Sequence, residues 1–500
     1  MVSLFGSSNK HDNENEPNGE SASATEPRRS AEDLRPAPNE HTRLLPNRLD
    51  SDRPFLTADD PAVSPYNLWA VRVTRYATVL FAIISFIWWA LLLVATFVTP
   101  PGMHTRGSGF YSFSYASLSL FTIVFVLVFF GAPSRAVRIL RALFVSLWAL
   151  IADRTVKWGK AEEEERLTGR IETRRSVLEW TAVLFSTIAY VVLSIVVVLL
   201  TLTLIVRSLD AGVAPPGKRY WVDGDKYQIH VHCEGYHTNT MGKKLPTVLF
   251  EGGEVPVENG LWQFADNAVK NGSITRYCFA DRPGFAWSDT APSPLSAGMA
   301  TDALSEALAR AGETGPWVVA GAGIGSMYTR VFSSRHGKEV RGIMLIDPIH
   351  EDLLGRFATP GRGFLLWLRG VISPLGLDRL LGALFKGRNG NDRIWGCAAL
   401  QGGKTIFAKL QESLVADTLS KRDVTSARAI QYPATPLVLI SSGVEMRRDS
   451  QWEDKQRDLS QLTRKLQYWD IVEKAPHQVW STFEGRERIE KRLKEMVHEL

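Results

Sequence analysis

Three long apolar runs lie between residues 76 and 206, and the stretches on either side of them contain nothing comparable. Residues 76–98 (YATVLFAIISFIWWALLLVATFV) carry no charge and are long enough to cross a hydrocarbon core of about 30 Å as a helix. Pro100 and Pro101 end that run. Residues 112–132 form a second span, closing at Gly131 and Pro133. Residues 180–206 form a third, long enough to tilt, with Glu179 at the interface. Between the second and third runs, over 135–152, Arg135, Arg138 and Arg141 recur at three-residue spacing beside Ile139, Leu140, Leu143, Phe144 and Leu147. That is the pattern of a basic amphipathic helix lying on a membrane surface. The expectation is a membrane region over 73–207 with three spans.

From residue 217 the periodicity changes. Short β-branched runs alternate with helical stretches, as in a mostly parallel sheet covered on both faces. Residues 218–233 read as a hairpin turning at Asp223 and Gly224. Further strands are predicted at 247–250, 276–280, 317–320, 342–346, 436–441 and 466–472. An insertion over 349–432 carries apolar helical segments at 363–372 and 377–385 and is read as a lid. The predicted fold class is α/β, a 217–500 domain preceded by transmembrane helices.

Composition adds a polar tail over 1–72, rich in Asn, Glu, Ser, Pro and Arg, which cannot bury a core and is expected to be disordered. The overall hydrophobic content of 45% hides this contrast between segments. The net charge of +5 is modest, and the basic residues crowd beside the apolar runs, which speaks for membrane electrostatics and against nucleic-acid binding. Their distribution also sets the orientation. Arg43, Arg48, Arg53, Arg72 and Arg75 precede the first span, and ten Lys and Arg lie between the second and third, against Arg106 alone between the first and second. The tail is therefore expected in the cytosol and the 217–500 domain across the membrane, facing a lumen. Cys233, Cys278 and Cys397 show no zinc spacing; one disulfide is possible, and neither metal nor cofactor is expected.

Residues 278–289 (CFADRPGFAWSD) resemble the DRPGxGxSD segment of α/β-hydrolase-fold esterases and epoxide hydrolases, departing from it at Ala286. Glu251-Gly252-Gly253 stands where that superfamily carries its oxyanion loop, Gly321 to Gly325 where it carries the nucleophile elbow, and His477 where it carries the catalytic histidine. The resemblance covers 218 to the C-terminus and implies an α/β-hydrolase fold with a helical lid. The elbow chemistry needs serine in G-x-S-x-G, and here that position holds Gly323. Glycine offers nothing for a histidine to activate. Ser326, one helical turn on, is a poor substitute. For the acid, Asp347, Glu445 and Asp449 are candidates, and the oxyanion donors implied are the backbone amides of Ile324 and of Gly252 or Gly253.

The tail adds Glu40, Leu44 and Leu45 in EHTRLLP, which resembles the acidic dileucine signal that sorting adaptors bind in tails of vacuolar and lysosomal proteins. Three functional readings follow. The first is a degenerate hydrolase domain, a pseudoenzyme that binds a partner or an apolar, lipid-like ligand under the lid. The second is an active ester or lipid hydrolase using another nucleophile. The third is a dinucleotide-binding protein, suggested by Gly321, Gly323 and Ser326 with Asp347 ending the next strand.

Overall fold

The computed structural model describes residues 69–97, 109–128 and 177–498, except 239–241, 243 and 388. The 1–68 part of the expected tail, with Glu40, Leu44 and Leu45, and the amphipathic helix expected over 135–152 lie outside the described residues.

Three helices come first: α1 (Trp69–Phe97), α2 (Gly109–Val128) and α3 (Val177–Asp210). Stretches of α1 (Arg72–Ala95) and α3 (Val191–Asp210) are long and apolar enough to cross a membrane, and α2 holds a shorter apolar stretch, Tyr111–Val124. The helices pack through Leu92, Ala116, Leu200 and Leu204, flanked by Trp88, Trp89 and Phe113. Their other faces expose Leu80, Ile83, Phe86, Phe121, Val192 and Ile195. Helices apolar on the outside as well as at their contacts suit lipid as the surrounding solvent.

The remaining chain builds an eight-stranded sheet from β1 (Lys218–Val222), β2 (Tyr227–Gly235), β3 (Thr247–Glu251), β4 (Arg276–Ala280), β5 (Trp317–Ala322), β6 (Val340–Ile346), β7 (Pro436–Ser442) and β8 (Lys465–Val472). Their spatial order is β1-β2-β4-β3-β5-β6-β7-β8. The first two pairings, β1 with β2 and β2 with β4, are antiparallel, and every later one is parallel. This is the order and sense that the resemblance to the α/β-hydrolase fold implies. The hairpin turns where expected, with Asp223, Gly224 and Asp225 at positive φ.

The central strands are buried on both faces because helices cover both. On one face Leu249, Val319, Leu345 and Leu439 pack in one core. Their neighbours in sequence, Val248, Phe250, Val318, Ala320, Met344 and Val438, point to the other, as the two-residue period of a strand requires. The covering helices include α4 (Leu261–Lys270), α5 (Ala297–Ala311) and α6 (Gly325–Arg335). The insertion between β6 and β7 forms the lid, with α7 (Pro360–Ile372), α8 (Leu377–Lys386), α9 (Gly403–Val415) and α10 (Lys421–Ile430), and α11 (Phe483–His498) closes the chain. Cys233 and Cys278 face each other across β2 and β4 and are joined by a disulfide; Cys397 is free.

Candidate functional site

In this sheet β3 connects outward to β4 on one side while β5 lies on the other, so a crevice opens at the carboxyl ends of β3 and β5. Three loops meet there. After β5 the chain turns sharply into α6 at Gly323, whose φ of 49° is a left-handed conformation that a residue with a Cβ adopts only under strain. Gly325 is needed for a second reason: a Cβ there would lie 2.2 Å from the carbonyl oxygen of Gly252. The elbow and the loop after β3 are thus pressed backbone to backbone. Ser326 is buried and its hydroxyl donates back to the Gly323 carbonyl at 2.7 Å, so it is not directed into the crevice.

His477, in the loop after β8, donates from Nδ1 to Asp347 Oδ2 at 2.6 Å. Asp347 ends β6, is fully buried, and accepts through Oδ1 from the Ser442 backbone N–H and the Trp452 indole N–H, each at 3.0 Å. Of the three candidate acids, this one is brought to the histidine. Glu445 sits in the first turn of the Gly443–Arg448 helix, and Asp449 binds Arg356 and caps the Ser450–Leu459 helix, so neither serves His477. The burial of Asp347 also removes the dinucleotide reading, because its carboxylate is occupied within the protein. At Gly321 a Cβ would lie 2.2 Å from Thr329 Oγ1, so this glycine is required by the close approach of α6.

The residue missed in the sequence is Glu254, directly after the oxyanion loop. Its Oε1 lies 3.2 Å from His477 Nε2. A Cβ built on Gly323 would stand 2.9 Å from His477 Nε2 and 3.0 Å from each Glu254 carboxylate oxygen. The Glu254 carboxylate therefore occupies the ground where a nucleophilic side chain would stand. Arg282, from the DRPG segment, fixes this loop by donating to the Gly253 carbonyl at 2.6 Å, and its guanidinium stacks over Phe285 and Tyr328. Ile324 lines the small cavity beside Glu254, and Gly252 and Gly253 lie against Gly325 and Ala322, so the two segments expected to supply an oxyanion hole are adjacent. Ala286, where the resemblance calls for glycine, takes a φ of 34°.

The electrostatics follow from this geometry. Burial disfavours a charged imidazole, but the hydrogen bonds and charges of Asp347 and Glu254 outweigh it and raise His477 to about 10. Burial likewise opposes the Glu254 carboxylate, yet its hydrogen bond to His477, the imidazolium charge and Arg282 bring it down to about 2. At neutral pH Glu254 is a carboxylate facing the His477 imidazolium. An imidazolium cannot accept a proton, so it is no general base. The elevated His477 value means this contact stabilises the fold fully below pH 6.5 and fades as pH rises towards 10, whereas the depressed Glu254 value confines the acid-side loss to below pH 4.5. Urea midpoints should accordingly fall from pH 6.5 to 10, with a slope from this one proton of at most about 1.4 kcal/mol per pH unit. The slope should shrink in Glu254→Gln, and an identical slope in that variant would refute the assignment.

The lid closes over the crevice. Between it and Glu254 lies a cavity of about 40 Å³ bordered by Ile324, Tyr328, Arg362, Lys409 and Glu412. The apolar segments of α7 and α8 do not turn inward: Phe364, Leu365, Leu384 and Phe385 are 59 to 81% exposed.

Residues 40–144 and 137–233 match the family described as "Region of unknown function (DUF2417)". An uncharacterized protein of Schizosaccharomyces pombe is 31% identical over an alignment of 532 residues, which covers 92% of this chain and 97% of that protein. An uncharacterized vacuolar membrane protein of Saccharomyces cerevisiae is 29% identical over 389 residues, 66% of this chain and 60% of that protein. Among solved structures, a carboxylesterase structure from the thaumarchaeon Nitrososphaera gargenis matches with 12% identity and a TM-score of 0.41, covering 57% of this chain and all of its own. A thermophilic esterase from Thermogutta terrifontis matches with 16% identity and a TM-score of 0.38, covering 57% and 99%.

Proposed function

We propose that this chain, which belongs to the same family as the Schizosaccharomyces pombe protein and matches DUF2417 over residues 40–144 and 137–233, is a vacuolar membrane protein whose α/β-hydrolase-fold domain is catalytically disarmed and acts by binding a ligand or partner. The observation that carries the reading is the filled nucleophile position: Gly323 has no side chain, and Glu254 stands where one would be. The native full chain is expected to remain unlabelled by a fluorophosphonate probe; robust labelling would overturn the reading.

The same contact offers a second reading, in which Glu254 is itself a carboxylate nucleophile. The state of His477 opposes it. Hydrolysing the resulting ester would need a neutral imidazole to activate water, and here the ring is held as the cation.

For the membrane region the proposal is three spans, α1, α2 and α3, with the tail cytosolic and the hydrolase-like domain lumenal. The Lys and Arg asymmetry supports this orientation, and so does the Cys233–Cys278 disulfide, since such bonds persist in oxidising compartments. Residence at the vacuole is supported by the Saccharomyces cerevisiae relative, and the Glu40, Leu44 and Leu45 signal is the proposed route, read by an adaptor on the cytosolic side. Protease added to sealed vacuoles should remove the tail and spare the domain. Digestion of the domain before the membrane is opened would refute the orientation.

A further inference from the structure

A second and larger cavity, about 140 Å³, lies away from His477, between the membrane helices and the lid. Its wall is basic. Arg207 from the last turn of α3, Arg379 from α8, Lys404 from α9 and Arg393 all border it, and Asp210 is the one acid among the described lining residues. Asp210 is engaged by Arg393 through Nε at 2.7 Å and Nη2 at 2.6 Å. The wall thus brings cationic side chains from elements far apart in sequence close enough that Arg379 acts on Arg207.

Like charges drawn together out of bulk water repel, and an anion between them relieves that repulsion. Burial already pulls the Lys404 ammonium down to about 8. A neutral donor points to the same conclusion: Trp287, buried in the wall, has an indole N–H without an acceptor among the described residues.

The position of the cavity says what carries the anion. Arg207 and Asp210 end the apolar stretch Val191–Asp210, which in the proposed spanning helix is the level where headgroups meet the hydrocarbon core. The lid is locked to the membrane helices at this level. A Cβ on Gly370 would lie 2.5 Å from the Tyr111 ring, and one on Gly376 would lie 2.8 Å from Thr203 Oγ1. Beside these contacts α7 and α8 turn Phe364, Leu365, Leu384 and Phe385 outward. An apolar face of that kind next to membrane helices is suited to burial in the interface of the same bilayer.

We propose that this cavity binds the phosphate of an anionic phospholipid headgroup, held by Arg207, Arg379 and Lys404 with the Trp287 N–H. The site is independent of Gly323 and of whether any hydrolysis occurs.

The test uses the full chain in phosphatidylcholine nanodiscs, following thermal unfolding while short-chain phosphatidic acid or inorganic phosphate is added. Phosphatidic acid should raise the transition saturably, as expected for a ligand that binds only the folded state. Its apparent affinity should fall roughly tenfold or more in Arg379→Gln and in Lys404→Gln, since each loses a charge-assisted contact. Each variant is compared with its own lipid-free baseline. Arg369→Gln, a lid cation outside the cavity wall, should respond as the native chain does. Inorganic phosphate acting as strongly as phosphatidic acid would overturn the lipid as the source. Absence of any shift in the native chain, or a shift that survives both cavity substitutions, would overturn the site.

Discussion

Gly323→Ser combined with Glu254→Ala should become labelled by a fluorophosphonate, whereas the native chain and Gly323→Ser alone should not. Adding the hydroxyl alone is insufficient for two reasons. The new side chain starts from a Cβ only 3.0 Å from both Glu254 oxygens, so the carboxylate and the serine compete for one space. In addition, while Glu254 remains, His477 stays protonated and cannot take the serine proton. Removing the Glu254 carboxylate clears the space and leaves Asp347–His477, the acid and base of a conventional triad, in contact at 2.6 Å. The elbow should regain strain costing on the order of 1–3 kcal/mol. Labelling of Gly323→Ser alone would show that Glu254 is not the obstruction. A double variant that folds and stays unlabelled would mean that the backbone donors no longer form an oxyanion hole.

Asp347→Ala should be the most destabilising single change in the site. Its carboxylate holds the Ser442 N–H, the Trp452 indole and the His477 ring at once. Truncation leaves two buried donors without an acceptor, at about 1–3 kcal/mol each. It also removes one of the two carboxylates facing a buried imidazolium, a loss on the order of 3 kcal/mol where a partner is left unpaired. The sum, roughly 5–9 kcal/mol, rivals the whole stability of a typical domain, about 5–15 kcal/mol. Asp347→Asn should cost much less, because its amide oxygen can keep the Ser442 and Trp452 bonds while giving up the charge. Denaturant midpoints of the two variants decide the matter. Equal and small losses would mean that Asp347 is a dispensable loop charge.

The sites of these two predictions were not equally visible beforehand. Gly323, His477 and the DRPG turn could be placed from the chain because each is tied to a local event: a strand ending in glycines, a loop following the last strand, a turn with fixed chemistry. Asp347 could be placed at a strand end but not separated from Glu445 and Asp449, since its role rests on a bond to a residue 130 positions away. Glu254 gave no signal. A glutamate after a glycine pair reads as a solvated loop charge, and its meeting with His477 spans 223 positions.

What the sequence determined by itself was the apolar character of the helices before residue 211, the α/β character of the domain, the positions of its strands and the glycine at position 323. These are local matters of hydrophobic period, turn chemistry and the presence or absence of one side chain. The strand order and the lid packing decided the rest: which acid holds the histidine, that the Glu254 carboxylate stands beside Gly323 and His477, that the lid turns its apolar faces outward, and that Arg207, Arg379 and Lys404 surround one cavity. Each of these depends on distances between segments remote in the chain, and such distances exist only once the sheet has assembled and the helices have packed against it.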